Sequence, residues 1–301
     1  MTTRKSIWLA AVVLAGAPAA FGYGTTYVSR TGTDSGSCGI NVAPCYSLTA
    51  ALANTDPGGT VKILDANAVA PSGVVLNRPV TIDGSGLAVI ENIFSPGSPA
   101  IQVAANVTLR NLLIQTSSAD GILVSGNGVE VHIENVQIAT VPGALNNGIH
   151  VTGTGVNLTV DNSTIVDAVV GINVAGANAV FAGGGLRLLG STAAAFSMSA
   201  GSGTLRDGLL RGTGPGAATV GLRLSGGAVL ALEHCELTAN GTGAVVDGSG
   251  GTTTLRMNNS TVAGNGVGLS AVSSGQIISL RTNMIAGNGS DGTAPLSTSL
   301  K

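Results

Sequence analysis

Three observations predict an all-β solenoid. A phrase of the form apolar-x-apolar-x-Asn-x-x-apolar recurs along the chain, apolar and polar residues alternate within it, and 46 of the 301 residues are glycine, which disfavours long helices. A repeat of 20 to 30 residues is typical of solenoids, in which each repeat packs only against its neighbours. Anchored on its second apolar residue, the phrase recurs at intervals of 21 to 27 residues at Ile82, Leu109, Ile133, Val160, Phe181, Leu205, Leu232, Met257 and Leu280.

Each repeat is predicted to hold three short strands. A second phrase, Gly-apolar-x-apolar, lies between the anchors, as in Gly121 to Val124 and Gly148 to Val151. Alternation at period two turns one face of each strand inward and the other outward. Such strands bury their inner faces only if the chain coils and equivalent strands stack into parallel sheets. The sequence therefore predicts a single-stranded right-handed parallel β-helix of about nine or ten coils, roughly 45 Å long.

The asparagine of the repeated phrase predicts a structural ladder. Asparagine tolerates a left-handed backbone, and its amide can bond to the equivalent amide one coil away. Gly183 and Asp207 are predicted to fill other rungs of the same column. The ladder itself is predicted at Asn111, Asn135, Asn162, His234 and Asn259.

The N-terminus predicts export. Residues 1–22 combine Arg4 and Lys5 with an apolar run and a small-residue cleavage site, as in a secretory signal peptide. No later segment has the roughly 20 apolar residues of a membrane helix, so no membrane span is expected. The net charge of −2 becomes more negative without the signal, which disfavours nucleic acid as a partner. We expect a secreted, periplasmic or cell-surface protein.

The remaining chain divides into three predicted parts. Residues 23–60 form an N-terminal cap, in which Ser47 is a good N-cap for a short helix over 48–53 that covers the first coil. Residues 61–288 form the β-helix. Residues 289–301 are polar and rich in Gly, Ser and Thr, and are expected to be a flexible tail.

Three cysteines give two separate predictions. For Cys38 and Cys45, export favours a disulfide, with two free thiols as the alternative. Cys235 is left over, and is either a packed thiol or a reactive one. Its neighbours Glu233, His234 and Glu236 suggest a metal cluster, but alternation sends adjacent side chains to opposite faces. His234 is therefore better explained as a ladder residue.

The repeated phrases resemble those of the right-handed parallel β-helix superfamily, which includes pectate lyases and polygalacturonases. The resemblance covers about Val61 to Asn288, and the segment from Tyr27 to Val61 is similar to that of exported bacterial members. It implies a polysaccharide lyase, hydrolase or epimerase. The chain departs from these enzymes, because Asn-Thr-Asp occurs only at 54–56 in the cap, and Arg-x-Pro-x-x-Arg and Asp-Pro-His-Asp are absent.

The register of the repeats aligns a column of charged residues on one outer face. We expect exposed ion pairs, Arg110 with Asp83 or Glu134 and Arg206 with Glu233. The alternative is that Glu134 and Asp161 form half of a calcium site, although calcium takes about 6–8 oxygen ligands. The predicted column is Asp83, Arg110, Glu134, Asp161, Ala182, Arg206, Glu233, Asn258 and Arg281.

A second outer column supplies the candidate ligand site. His150, Asn173 and Arg223 lie at equivalent positions of the second phrase. In enzymes of the superfamily a groove along one sheet often holds the glycan, so these three residues are the candidate binding strip. The alternative is that they are only the polar residues that an exposed strand needs.

Function remains divided between two hypotheses. The scarcity of charge, 9% of residues, and the absence of tryptophan after Trp8 favour a non-catalytic scaffold, adhesion or binding module that contacts polysaccharide or cell-surface components. That hypothesis has no catalytic residue, no metal and no cofactor. The alternative is a polysaccharide-acting lyase, hydrolase or epimerase. The ligand and the oligomeric state stay open.

Overall fold

The structure is a computed structural model that describes residues 22–65, 73–92, 97–116, 119–140, 146–280 and 282–297. The predicted signal peptide lies outside the described residues except for Gly22. The described elements are β1 (Tyr23–Val28), α1 (Leu48–Asn54), β2 (Thr55–Ile63), β3 (Val74–Leu76), β4 (Val80–Asn92), β5 (Ile101–Val103), β6 (Val107–Thr116), β7 (Ile122–Val124), β8 (Glu130–Glu134), β9 (Gln137–Thr140), β10 (Asn147–Val151), β11 (Asn157–Asp161), β12 (Thr164–Val166), β13 (Val170–Val174), β14 (Val180–Gly184), β15 (Arg187–Leu189), β16 (Ala194–Met198), β17 (Ser202–Arg206), β18 (Leu209–Arg211), β19 (Val220–Leu224), β20 (Val229–Glu233), β21 (Glu236–Thr238), β22 (Thr242–Asp247), β23 (Thr254–Asn258), β24 (Thr261–Ala263), β25 (Val267–Val272), β26 (Gln276–Ser279), β27 (Met284–Ile285), β28 (Ser290–Gly292) and β29 (Leu296–Ser297).

The strands pair in parallel between successive coils, so the predicted parallel β-helix is confirmed. A typical coil contributes three strands, as β8, β9 and β10 do. The third strand of each coil belongs to a sheet that is ten-stranded over the described residues, running from β3 to β28. The first two strands of each coil join one longer sheet that bends at the asparagine turn, where the single strand β6 pairs with both β8 and β9.

The core is a stack of aliphatic columns from the inward positions. Ile82, Leu109 and Ile133 face inward in successive coils and are fully buried. Phe181 and Phe196 pack against each other with ring centroids 4.9 Å apart and planes tilted by 53°. Both side chains are buried, and tilted aromatic pairs contribute to stability beyond their buried area.

The predicted ladder positions share a left-handed backbone. Their φ angles are 57° at Asn111, 51° at Asn135, 48° at Asn162, 51° at His234 and 47° at Asn259. Asn135 Nδ2 donates to Asn111 Oδ1 at 2.9 Å, and Asn111 Nδ2 continues the chain of bonds to Asp83 Oδ1 at 3.0 Å. The column thus turns the backbone in every one of these coils, while amide-to-amide bonding joins Asn135 to Asn111.

Two predicted anchors are wrong. Val160 pairs with Gly183 rather than Phe181, because Phe181 aligns with Leu158. The physical reason is that the Phe181 ring fills the space over Gly183, where an added Cβ would lie 2.7 Å from the ring. Apolar residue type therefore misaligns this coil by two positions. At the last anchor, Met257 pairs with Ser279 instead of Leu280.

These shifts change the charged column and the ladder. Gly184 takes the place predicted for Ala182, and Gly185, with φ 63°, is the rung predicted at Gly183. At the last coil, Leu280, which follows Ser279, takes the place in the charged column that was predicted for Arg281. Arg281 itself lies outside the described residues.

A second asparagine ladder, missed in the sequence, runs inside the C-terminal coils. Asn240 Nδ2 donates to Asn265 Oδ1, and Asn265 Nδ2 donates to Asn288 Oδ1, each at 3.0 Å. Asn240 and Asn265 are buried, and their amides also bond to backbone carbonyls such as that of Leu237. The signal was the dipeptide Asn-Gly, which recurs at 240–241, 265–266 and 288–289, just before β22, β25 and β28.

The predicted short N-terminal helix is α1, with Ser47 as its N-cap. Ser47 Oγ accepts from Ala50 N at 3.1 Å, and Leu48 and Ala51 are buried. Cys38 and Cys45 form a disulfide. The stapled loop bonds to the outer edge of β1 through Tyr27, which donates to Gly39 and accepts from Cys45. Edge β1 is thereby covered, which protects it against pairing with other chains.

The C-terminal coils extend past the predicted boundary at 288. Ser290 and Gly292 in β28 pair with Val267 and Leu269 of β25, and β29 pairs with β26. Strand pairing therefore replaces the expected flexible tail as far as Ser297. Within the part of the chain that the structure describes, the single helix has seven residues and is too short to cross a membrane.

Candidate functional site

The predicted ligand residues lie on one row of the outer face of the ten-stranded sheet. His150 and Asn173 are direct neighbours on β10 and β13, whereas Arg223 on β19 is three coils from His150, about 14 Å at the usual strand spacing. We call this the outer row; it consists of Gln102, Leu123, His150, Asn173, Ser197, Arg223, Val245 and Ser270.

His150 is paired with Asp120, a residue that the sequence interpretation missed. His150 Nδ1 lies 2.8 Å from Asp120 Oδ2. The other carboxylate oxygen, Oδ1, accepts from the backbone nitrogen of Asn147 at 2.9 Å and from its side-chain Nδ2 at 2.7 Å. Both oxygens are therefore held, and the carboxylate position is fixed by the first residue of β10. We call these two residues the Asp120–His150 pair.

The electrostatics of the pair assign the proton on the imidazole. Burial alone raises the pKa of Asp120, but hydrogen bonds from His150 and Asn147 outweigh it, so the pKa lies below its usual value. Asp120 is thus ionised at neutral pH and can only accept hydrogen bonds. His150 Nδ1 must donate, and in the neutral ring Nε2 is the nitrogen left to accept a proton. The His150 side chain is 23% exposed, so a ligand on the sheet can reach it.

An imidazole oriented by a carboxylate is suited to proton transfer. Histidine exchanges protons near neutral pH, and a second group that fixes its tautomer keeps the accepting nitrogen directed to one side. The outer row contains no carboxylate of its own. It therefore differs from the two facing carboxylates of most glycoside hydrolases.

Asp120 was missed because it lies in the turn before β7, outside both repeated phrases. Asp120-Gly121 directly precedes β7, and Asn147-Gly148 is the equivalent dipeptide of the next coil, where it begins β10. A polar residue preceding the glycine in two adjacent repeats was the available signal. Stacking of the coils brings Asp120 against Asn147.

The charged column consists of separate ion pairs. Arg110 pairs with Asp83 at 3.0 Å and Arg206 with Glu233 at 3.3 Å, as expected. Glu134 lies 3.9 Å from His132. Burial raises the pKa of Asp83, but hydrogen bonds from Asn111, Ser85 and Arg110 lower it by a larger amount. The pKa of Asp83 therefore lies below its usual value. Among the described residues, no three His, Cys, Asp or Glu side chains are grouped closely enough to hold a metal ion.

Cys235 and His234 turn to different surroundings. Cys235 is buried, its Sγ donates to the carbonyls of Leu205 and Glu233 at 3.3 Å each, and burial raises the pKa of the thiol to about 11. His234 lies at the turn with Nδ1 3.9 Å from Asp207. The packed-thiol prediction is confirmed.

Comparison with known proteins defines the class of protein. The family described as the right-handed beta helix region matches residues 100–285, and the chain belongs to this family. The match includes the Asp120–His150 pair and the whole outer row. Among curated proteins the comparison finds no match.

Several solved structures share the fold at low identity. Pectate lyase Pel9A is 16% identical with a TM-score of 0.58, covering 89% of this chain and 78% of its own. An alginate lyase from Paenibacillus sp. str. FPU-7 is 17% identical with a TM-score of 0.56, covering 83% and 94%. The GH136 lacto-N-biosidase from Eubacterium ramulus is 12% identical with a TM-score of 0.51, covering 91% and 67%.

Proposed function

We propose that this protein binds an extended acidic polysaccharide along the outer row and that His150 acts as a proton-transferring base on it. The Asp120–His150 pair is the observation that carries the proposal. A scaffold needs polar residues on an exposed strand, but it has no need for a carboxylate that is held at both oxygens and fixes one tautomer of an exposed imidazole.

The spacing of the outer row suits a chain of sugars. Equivalent residues in adjacent coils are about 4.8 Å apart, close to the length of one sugar unit in an extended polysaccharide. Asn173 and Ser197 follow His150 in the next two coils and offer hydrogen bonds to hydroxyl groups. Arg223, one coil further, offers a guanidinium for a carboxylate.

β-Elimination is the reaction that these groups suit. His150 Nε2 would take the proton from the carbon next to a uronate carboxyl group. The electron pair of that C–H bond forms a carbon–carbon double bond, and the glycosidic oxygen leaves with the electrons of its bond to carbon and is then protonated by water. This reaction requires one base of the protein, whereas most glycoside hydrolases use two carboxylate side chains that flank the glycosidic bond.

The similar structures support a polysaccharide ligand. Two of them are a pectate lyase and an alginate lyase, and the third is a lacto-N-biosidase. Export through a signal peptide is part of the same proposal. The Cys38–Cys45 disulfide supports a location outside the reducing cytoplasm.

A non-catalytic binding or adhesion module is the second candidate function. The low number of charges on the outer row and the confinement of all tyrosines to Tyr23, Tyr27 and Tyr46 favour it. This candidate predicts that the protein is retained on a polysaccharide but leaves it intact.

A panel of uronate-containing and neutral polysaccharides tests both functions. Turnover is followed by the ultraviolet absorbance of unsaturated products and by new reducing ends, and binding by retention on immobilised polysaccharide. His150→Ala should abolish unsaturated products, and His132→Ala, which changes a histidine of the other sheet, should leave them unchanged. Binding without turnover in the wild-type protein would establish the module, and neither binding nor turnover on any polymer would refute both.

A further inference from the structure

We infer that a second ligand site, for a neutral sugar, lies on the longer sheet in a groove across the starts of β4, β6 and β8. The groove has a volume of 340 Å³ and is lined among others by Pro79, Thr81, Asn106, Thr108, Glu130 and His132. Ligand pockets span about 300–1,000 Å³, so a site of this size suits a single sugar ring. We call it the N-terminal groove.

The floor of the N-terminal groove is a row of hydrogen-bonding side chains. Thr81, Thr108 and His132 occupy equivalent outward positions in three successive coils. Their side chains are therefore about 4.8 Å apart and face the same side. Hydroxyl groups both donate and accept, and the imidazole can do either, which matches the hydroxyls around a sugar ring.

The rim of the groove is held in place by a bond between coils. Asn106 Oδ1 accepts from the backbone nitrogen of Glu130 at 2.9 Å. This bond orients the Asn106 amide and leaves its amino group to donate to a ligand. The Glu130 side chain is exposed, and its two carboxylate oxygens can accept from two neighbouring hydroxyls of one sugar.

Charge decides between neutral and acidic sugars. Glu130 lines the groove, Glu134 lies 3.9 Å from His132, and neither lysine nor arginine is among the lining residues. A uronate would therefore meet a carboxylate without a cation to balance it. The N-terminal groove thus favours an uncharged sugar, in contrast to the outer row with Arg223, and the inference does not depend on the function proposed for that row.

The three histidines of the chain allow a direct test. Imidazole NMR signals of His132, His150 and His234 are followed during titration with glucose, galactose and mannose, and with glucuronate as the acidic comparator. The neutral sugars should shift the His132 signal alone, and glucuronate should bind there more weakly. No shift of His132 with any neutral sugar, or equal binding of glucuronate, would overturn the inference.

Variants separate a site from a chance contact. Glu130→Gln removes charge-assisted bonds and should weaken sugar binding about tenfold. Thr108→Val should also weaken it, while Thr204→Val, at an equivalent outward position three coils beyond His132, should not. His150→Ala should leave this binding intact even if the proposed function is wrong. Unchanged affinity in Glu130→Gln, or loss of affinity in His150→Ala, would contradict the site.

Discussion

Asp120 gives His150 a defined chemical state. The ionised carboxylate accepts a hydrogen bond from Nδ1–H of His150, so Nε2 is free to take a proton from a ligand. Asn147 contributes by donating twice to the opposite carboxylate oxygen, which prevents rotation of the group. Three side chains from two adjacent coils therefore form one unit, although none of them belongs to the asparagine ladder.

Asp120→Asn tests this unit at the level of a single atom. The amide can place an N–H group against His150 Nδ1, which would move the ring proton to Nε2 and remove the base. We expect turnover to fall by about 10²–10⁴-fold while retention on the polysaccharide changes little. The measurement is the initial rate of unsaturated product. A rate within a factor of two of the wild type would show that Asp120 does not orient the base.

Cys235 should behave as a structural thiol. Its burial and raised pKa leave almost no thiolate at neutral pH, and the thiolate is the reactive form. We expect no alkylation by iodoacetamide in the folded protein and complete alkylation in urea, as measured by intact mass. Rapid modification of the folded protein would indicate that the coil around Cys235 opens or that the thiol has another role.

The two asparagine ladders act on the elements in different ways. The outer ladder supplies left-handed turns between strands such as β8 and β9, whereas the inner ladder joins the turns before β22, β25 and β28. The amides of Asn240 and Asn265 are buried, so each bond that they lose leaves buried polar groups unpaired. Stability should therefore depend more on the inner ladder.

Asn265→Ala should destabilise the protein by about 2–4 kcal/mol, because it removes the partners of Asn240 and of the carbonyl of Leu237. Asn135→Gly is the matched control, since glycine keeps the left-handed turn and only an exposed bond is lost; we expect less than about 1 kcal/mol. Urea unfolding measures both. Equal effects would mean that the inner ladder does not stabilise the C-terminal coils.

The elements were predictable where residue type and position repeat together. Alternation predicted the strands, and the register of the Asn phrase predicted the left-handed turns, including those at Asp207 and His234. The β14 coil failed because Gly183 occupies an inward position that is apolar elsewhere, and the last anchor failed because Ser279 does the same. The sequence interpretation missed strands β28 and β29 because their residues are mostly polar and lack the alternating pattern. They form by pairing with the strands β25 and β26 of the preceding coil, which the local sequence does not reveal.

The candidate site was predictable in part. The register correctly placed His150, Asn173 and Arg223 on one row, because outward positions of equivalent strands must align. It could not reveal Asp120, since the turns vary in length between coils and their side chains are positioned by stacking. Whether these residues bind a ligand depends on chemistry that repeat spacing does not encode.

The whole molecule should lose stability in acid. Asp34, Asp83 and Asp120 each have a pKa below the usual value in the folded chain. Burial raises each pKa, but hydrogen bonds lower it by more, and the largest of these come from Ser47, Asn111 and His150 respectively. Such groups bind protons more tightly when unfolded, so their stabilisation is complete above the unfolded pKa of about 3.9. It is lost as the pH falls through the lower folded values.

We therefore expect these three groups to lower the urea midpoint of unfolding as the pH falls below about 4. Asp83→Asn should flatten part of this decline, because the amide does not titrate and contributes no difference in proton binding between folded and unfolded chains. Unfolding of both proteins over a pH series measures the difference. An identical slope would show that Asp83 does not contribute to the acid sensitivity.

The most direct test of the central claim is the imidazole NMR spectrum of the inactive Asp120→Asn protein with an oligosaccharide of the polymer that the wild type binds. The three histidines report on three places: His150 on the outer row, His132 in the N-terminal groove and His234 at the ladder turn. If the outer row is the polysaccharide site, the acidic oligosaccharide shifts His150 and leaves His132 and His234 in place. Saturable binding with an unmoved His150 signal would contradict the account.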